Sequence, residues 1–241
     1  MLQALPRWVH AADPCASMAR EQCYGEVLNH GLQRMLQMLP SPCILRPDDV
    51  IYDVGSGFGA AAAYMSDAVN VSQVVGVEVN ACRAATAASR HGANATSRLL
   101  LRLGDVRKLG FDRATMIYMT SQCFAPSLLR SIFGRLAVRA AKLRCIVDVG
   151  SLDSLASQRI VSLAAPWGMV RRIAQDITAT WDEHAAAIYF VRGACSASCV
   201  RRAHRWLKHA AEDLEAADLP GPVNPWALAS RHASVLDLPP A

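Results

Sequence analysis

The chain has 241 residues, 52% of them apolar, with 25 basic and 20 acidic side chains for a net charge of +5. That length suits one α/β domain with extensions and a sizeable core. The mild positive charge does not by itself imply nucleic acid, and no apolar run reaches the roughly 18 residues a membrane helix needs.

Residues 1–22 carry Pro6 and Pro14 and show no periodic apolar face. Residues 1–12 contain Arg7 and no acid, and are too short and interrupted for a secretory signal. After Cys23-Tyr24-Gly25-Glu26, the apolar positions Val27, Leu28, Leu32, Met35, Leu36 and Leu39 recur at helical spacing. A helix is predicted to run to about Leu39 and stop at Pro40-Ser41-Pro42, capping a sheet. Glu26 would complement its N-terminal dipole.

The next stretch organises the rest. Val50-Ile51-Tyr52-Asp53-Val54 ends in Gly55-Ser56-Gly57-Phe58-Gly59 and passes into the Ala-rich run that starts at Ala60. That order reads as strand, tight glycine turn and helix start. Glycines allow positive φ and close approach of a ligand, and a helix N-terminus offers unpaired N–H groups. Two cofactor classes use such a turn, dinucleotides and S-adenosylmethionine (SAM), and the glycine spacing fits both. Asp53 favours the second. A carboxylate two residues before the first glycine gains nothing from a pyrophosphate but attracts an ammonium and a sulfonium.

A second strand, residues 74–80, ends in Glu78, whose carboxylate can accept both hydrogen bonds of a ribose diol. A third, Leu99-Leu100-Leu101-Arg102-Leu103, leads into Gly104-Asp105-Val106. There Asp105 would take an adenine amino group and Val106 would cover a ring face. Helices over 60–69 and 81–91 alternate with these strands, as a parallel sheet demands. Asp53, Glu78 and Asp105 at three successive strand ends look like class I SAM-dependent methyltransferases.

Strand four is predicted over 114–119, followed by Thr120-Ser121-Gln122-Cys123-Phe124-Ala125-Pro126. A helix over 127–141 would turn Leu128, Leu129, Ile132, Leu136 and Val138 inward. Strand five spans 144–149, and a helical segment spans 155–164. Extended runs 169–178 and 185–191, with Trp181-Asp182-Glu183-His184 between them, should pair as an antiparallel hairpin. The expected fold is therefore α/β, a Rossmann-like seven-stranded class I methyltransferase sheet, parallel with a C-terminal antiparallel hairpin, plus an N-terminal helical cap.

A basic helix with Arg201, Arg202, Arg205 and Lys208 follows, a weak candidate for nucleic-acid contact and otherwise a solvated face. The Pro-rich end reads as disordered. Of the eight cysteines, Cys82 and Cys145 fall in apolar element interiors, where free thiols act as small hydrophobes. Only Cys195 and Cys199 are closely spaced, with no second pair or clustered histidines, so no metal site is expected. A reducing, intracellular compartment fits these thiols best.

With these residues laid out, the sequence resembles the disruptor-of-telomeric-silencing family, the histone lysine methyltransferases without a SET domain. The resemblance runs from about Cys23 to Arg192 and implies a methyltransferase domain over 23–193, between an irregular 1–22 and a helix and tail over 194–241. It implies SAM as cofactor, held by Tyr24, Gly25 and Glu26, by the turn Asp53, Gly55, Ser56, Gly57 and Gly59, and by Glu78, Asp105 and Val106. Phe124, Trp181 and Tyr189 would line a lysine channel that desolvates the incoming amine and so lowers its pKa. A histone or nucleosome is the implied partner and the nucleus the implied compartment.

The chain departs from the family at one place: Thr120-Ser121-Gln122 stands where histone-modifying members carry two asparagines and a phenylalanine. Thr120 takes the position of the asparagine that helps form the active site. Three other readings stay open beside the histone one: methylation of a non-histone protein or small molecule, a catalytically silent SAM-fold binding module, and a dehydrogenase.

Overall fold

Short runs rich in β-branched and apolar residues become strands of a single sheet in the computed structural model. The structure describes Cys15 and residues 25–92, 98–150, 155–164, 169–179 and 182–191. The strands are β1 (Val50–Val54), β2 (Gln73–Glu78), β3 (Leu99–Leu103), β4 (Met116–Met119), β5 (Cys145–Gly150), β6 (Met169–Ala179) and β7 (Asp182–Val191). Their order across the sheet is β3-β2-β1-β4-β5-β7-β6. The first five in that order run parallel, and β7 pairs antiparallel with both β5 and β6. This is the seven-stranded arrangement expected from the sequence.

Helices α1 (Asn29–Gln37), α2 (Ala60–Ala68), α3 (Ala81–His91), α4 (Pro126–Arg139) and α5 (Leu155–Ala164) fill the connections and flank the sheet. Alternation along the strands sorts the core into two faces. Ile117, Met119, Ile146 and Tyr189 pack with Leu129, Ile132 and Phe133 of α4 and Ile160 and Leu163 of α5. Ile51, Val74, Tyr118, Val147 and Ile188 pack on the other face with Leu32 and Met35 of α1 and Ala62 and Met65 of α2. Local chemistry sets the helix starts. The Asn80 side chain accepts from the Cys82 and Arg83 N–H groups at 2.9 and 3.1 Å, and α4 opens on a proline, which has no N–H to leave unpaired.

Several expectations need correction. Helix α1 begins only at Asn29, because Val27 instead bridges to Ala179 and the Leu28 N–H donates to the Thr178 carbonyl at 3.0 Å. Val138 is 59% exposed, and Phe133 and Ala137 are buried in its stead. A 100° step per residue carries position 138 off the stripe defined by 129, 132, 133, 136 and 137. The hairpin is tighter than expected, since β6 extends to Ala179 and β7 starts at Asp182. Asp176, with φ of 62°, accompanies a register shift between Ala174 and Ile177 of β6.

The cysteines are the largest correction. Cys15 is bonded to Cys82 and Cys43 to Cys145, and Cys123 is disulfide-bonded as well. The first two pairs join residues 67 and 102 positions apart, which no local spacing reveals. Free thiols at Cys82 and Cys145 are thus ruled out. The expectation of a reducing compartment loses its footing with them, since disulfides persist chiefly in oxidising surroundings.

Candidate cofactor and active site

The five parallel strands end at one edge of the sheet, and β1 and β4, whose connections leave in opposite directions, are neighbours there. Ligands of open α/β sheets bind at such a reversal. Asp53, Glu78, Asp105 and Thr120 all stand at this edge, at or just after the ends of β1, β2, β3 and β4.

The turn after β1 has three glycines with positive φ, Gly55 (76°), Gly57 (55°) and Gly59 (82°). It is fastened to β2. Gly55 and Ser56 donate their N–H groups to the Val77 carbonyl at 2.9 and 3.0 Å, and Gly57 donates to Oε2 of Glu78 at 2.9 Å. The other Glu78 oxygen accepts the Asn80 N–H at 2.8 Å. Each carboxylate oxygen therefore has one backbone donor and a remaining lone pair, the arrangement a diol needs. Ser56 leans over β2, its side-chain atoms about 3 Å from where a Cβ on Gly76 would stand.

Asp53 is 2% exposed and its Oδ2 has no hydrogen-bond partner. Burial pushes its pKa up to about 7, helped by the negative charges of Glu78 and, more weakly, Glu26, while the Ala62 N–H of α2 opposes the shift. A buried carboxylate oxygen without a partner thus stands in the negative field of Glu78 and, more weakly, Glu26, a combination that is unfavourable alone and favourable to a bound cation. Gly25 and Glu26, in the segment before α1, are half-buried. Tyr24 and Trp181 lie outside the described residues, as do Arg201, Arg202, Arg205 and Lys208.

Asp105 follows β3 and caps a 3-10 turn, Val106–Lys108. Its carboxylate accepts from the Arg107 backbone N–H at 2.9 Å and pairs with the Arg107 guanidinium at 2.7 Å, which holds its pKa below the usual range. An adenine amino group would share this carboxylate with Arg107. Val106 is buried in the core. Val79 and Leu103, by contrast, are 69% and 61% exposed at the same edge, apolar surface a purine could cover. Neither was singled out from sequence, although Val79 adjoins Glu78.

The segment after β4 meets the turn from the other side. The Phe124 ring lies against Gly55, where a Cβ would come within 3.0 Å of Cζ. Thr120 hydrogen-bonds through its side chain to Tyr118, which pairs in register with Asp53 and whose phenol is pushed up by burial and by the Asp53 charge. The Ser121 N–H donates to Oδ1 of Asp148 at 3.0 Å, and burial raises Asp148 to about 6. Gln122 Oε1 is buried without a hydrogen-bond partner beside Gly150. Tyr189 is 1% exposed within the α4–α5 core, two residues from the position opposite Asp148, so it is packed rather than set on an open wall.

Tyr118 and Asp148 escaped the sequence reading. A signal for the second existed: Asp148-Val149-Gly150 repeats Asp53-Val54-Gly55 at another strand end. The two carboxylates face opposite sides of the sheet, as their neighbours Ile51 and Ile146 do.

A family model described as "Histone methylation protein DOT1" matches residues 17–138, half of the chain. No curated protein matches. Among solved structures, the methyltransferase domain of bacterial CtHen1-C superposes with a TM-score of 0.54 at 14% identity, over 68% of this chain and 98% of that one. Magnesium protoporphyrin IX methyltransferase from Synechocystis, with bound SAM, superposes with a TM-score of 0.53 at 13% identity, over 67% and 79%. At such identities these likenesses establish the fold, that of class I methyltransferases.

Proposed function

The chain belongs to the DOT1 family of histone methylation proteins, and from that premise we propose that it is a SAM-dependent methyltransferase of protein lysine, with a histone as substrate. The observation that carries the reading is the buried Asp53 oxygen without a partner, in the negative field of Glu78 and, more weakly, Glu26, beside a three-glycine turn. That site suits an ammonium and sulfonium attached to a ribose. A dinucleotide would bring its pyrophosphate against the same three acids.

Asp53 and Glu26 would neutralise the amino-acid end, Glu78 would take the ribose hydroxyls, and Val79 and Leu103 would flank the base. SAM supplies a methyl group activated by its sulfonium. The chain supplies alignment and dryness. A lysine ammonium has no lone pair to offer, and the apolar surroundings of Phe124 disfavour its charged form and so release the proton. A histone substrate would place the chain in the nucleus, where disulfides such as Cys15–Cys82 and Cys43–Cys145 are rare, so these bonds weigh against that compartment. Arg201, Arg202, Arg205 and Lys208 would be further contacts to nucleosomal DNA.

A second reading keeps SAM and changes the acceptor. Thr120 is engaged with Tyr118, and Gln122 brings a buried amide where histone-modifying members have a phenylalanine. A non-histone protein or small molecule is then the substrate. Calorimetry with SAM and NAD tests the cofactor, and tight NAD binding without SAM binding ends the methyltransferase reading. Radiolabelled transfer to nucleosomes, free histones and lysate proteins tests the acceptor. Label on lysate proteins alone selects the second reading, and SAM binding with no transfer to anything selects a silent module.

A further inference from the structure

Charge is unevenly distributed along this chain. From Arg98 to Arg144 there are ten basic and two acidic residues, a net of +8 against +5 for the whole chain, so the remainder carries −3. The fold gathers much of that excess on one face. Leu100 packs with Leu109 on the α4 side of the sheet, and Arg102, two residues on, shares that side and is exposed. Arg107 and Lys108 follow in the turn after β3, and Arg130, Arg135 and Arg139 come from α4.

At the centre is a hollow of about 380 Å³ lined by Arg107, Ser131, Gly134, Arg135, Val138 and Arg139. Arg135 donates twice to the Leu109 carbonyl, at 3.0 and 2.7 Å, which fixes the guanidinium without neutralising it. Arg139 pairs with Asp112 only loosely, at 3.7 Å with both side chains more than half exposed, so its guanidinium is open to another anion. Arg107, by contrast, is held by Asp105 at 2.7 Å and offers the exposed part of its guanidinium. Gly134 sits inside a helix with nothing within 4 Å of where its Cβ would stand. Glycine disfavours a helix interior, so packing gives no reason for it here. Its smallness keeps the hollow open.

We propose that this face, the turn after β3 together with α4, binds the phosphate backbone of double-stranded nucleic acid. Several guanidinium and ammonium groups around a pocket with a hydroxyl are the chemistry of phosphate contact, and a strip of them fits a polymer better than a single ion. Duplex is favoured over single strands because the face offers no exposed aromatic side chain among the described residues on which bases could stack. Through Arg107 and Asp105 the strip abuts the cofactor edge, so a bound duplex would lie along the rim of the site. This goes beyond the methyltransferase reading and does not depend on it.

The test is fluorescence anisotropy of the full chain with a short blunt DNA duplex across a salt series, beside calorimetry with SAM. The expected result is salt-sensitive binding that the triple variant Lys108→Gln, Arg130→Gln, Arg139→Gln weakens at least about tenfold. The slope of log affinity against log salt should become shallower by about 0.9 for each phosphate that the variant no longer neutralises. Gly134→Leu, which fills the hollow and leaves every charge in place, should weaken the duplex as well. SAM affinity should not change in either variant. Wild-type failure to bind duplex at low salt overturns the proposal, as does an unchanged affinity and slope in both variants. Binding of inorganic phosphate alone overturns it too, and equal competition by polyglutamate would reassign the face to an acidic protein. Failure of SAM to bind the wild type sinks the enzyme reading and leaves the duplex result standing.

Discussion

The Gly57 N–H donates to Oε2 of Glu78 at 2.9 Å, so the glycine turn after β1 hangs from the acid that ends β2. Glu78 thereby has two duties, to hold the turn and to meet a diol. Glu78→Ala should weaken SAM by about 1.5–3 kcal/mol, the range for removing a hydrogen bond to a charged group. Calorimetry reads this directly, and unchanged affinity would detach Glu78 from the cofactor.

The buried Asp53 makes a prediction in pH. Its pKa is about 7 in the folded chain against an ordinary 3.8, so between those values the native state holds more protons than the unfolded one. Stability without cofactor should therefore fall as pH rises from about 4 through 7 and level off above. Asp148, raised to about 6, adds to the fall in the lower part of that window. Binding a cation at Asp53 requires the ionised form, so SAM affinity should move the opposite way. It should drop about tenfold between about pH 8 and pH 6 if only the carboxylate binds. Asp53→Asn should stabilise the chain at pH 8 and flatten the affinity profile. A profile as steep as wild type in that variant would assign the titration to another group.

Much of this edge was legible in the sequence because parallel strands end together. Once Asp53, Glu78 and Asp105 were placed at strand ends, the right-handed connections brought them to one side. Side-chain geometry within the edge was not legible. Nothing in Gly104-Asp105-Val106-Arg107 says that the arginine folds back onto the acid, and Tyr118 reads as one more apolar residue in its strand. Meetings between distant segments were beyond reach for the same reason. Cys43 meets Cys145, and Val27 meets Ala179, only after the sheet has formed.

Gly31 shows such a distant meeting in a form that can be measured. A Cβ there would stand 2.9 Å from the Thr178 backbone nitrogen and nearer still to its carbonyl oxygen. Both are strand backbone and cannot swing aside, so α1 must lift from β6. Gly31→Ala raises helix propensity yet should destabilise the chain by about 1–3 kcal/mol, the usual cost of overpacking. Urea unfolding checks the sign. A more stable variant would mean that α1 does not rest on β6 in solution.

At the opposite end of the strands, Arg144 grips Asp49 with two hydrogen bonds of 2.6 and 2.7 Å and also donates to the Pro42 carbonyl. Asp49 is buried and Arg144 half-buried, and Asp49 accepts the Arg46 N–H at 2.7 Å as well. The pair joins the turn before β1 to the start of β5, far from the cofactor edge. Removing one partner leaves the other charge stranded, so Asp49→Ala should cost about 3–5 kcal/mol. Removing both, as Asp49→Ala with Arg144→Met, should cost clearly less than the two single changes combined, because no stranded charge remains. SAM affinity should stay at the wild-type value in every folded variant, since the pair touches none of Asp53, Glu78 or the glycine turn. Strict additivity in urea unfolding would mean that the two side chains do not meet, and it would remove the clamp that holds the amino ends of β1 and β5 in register.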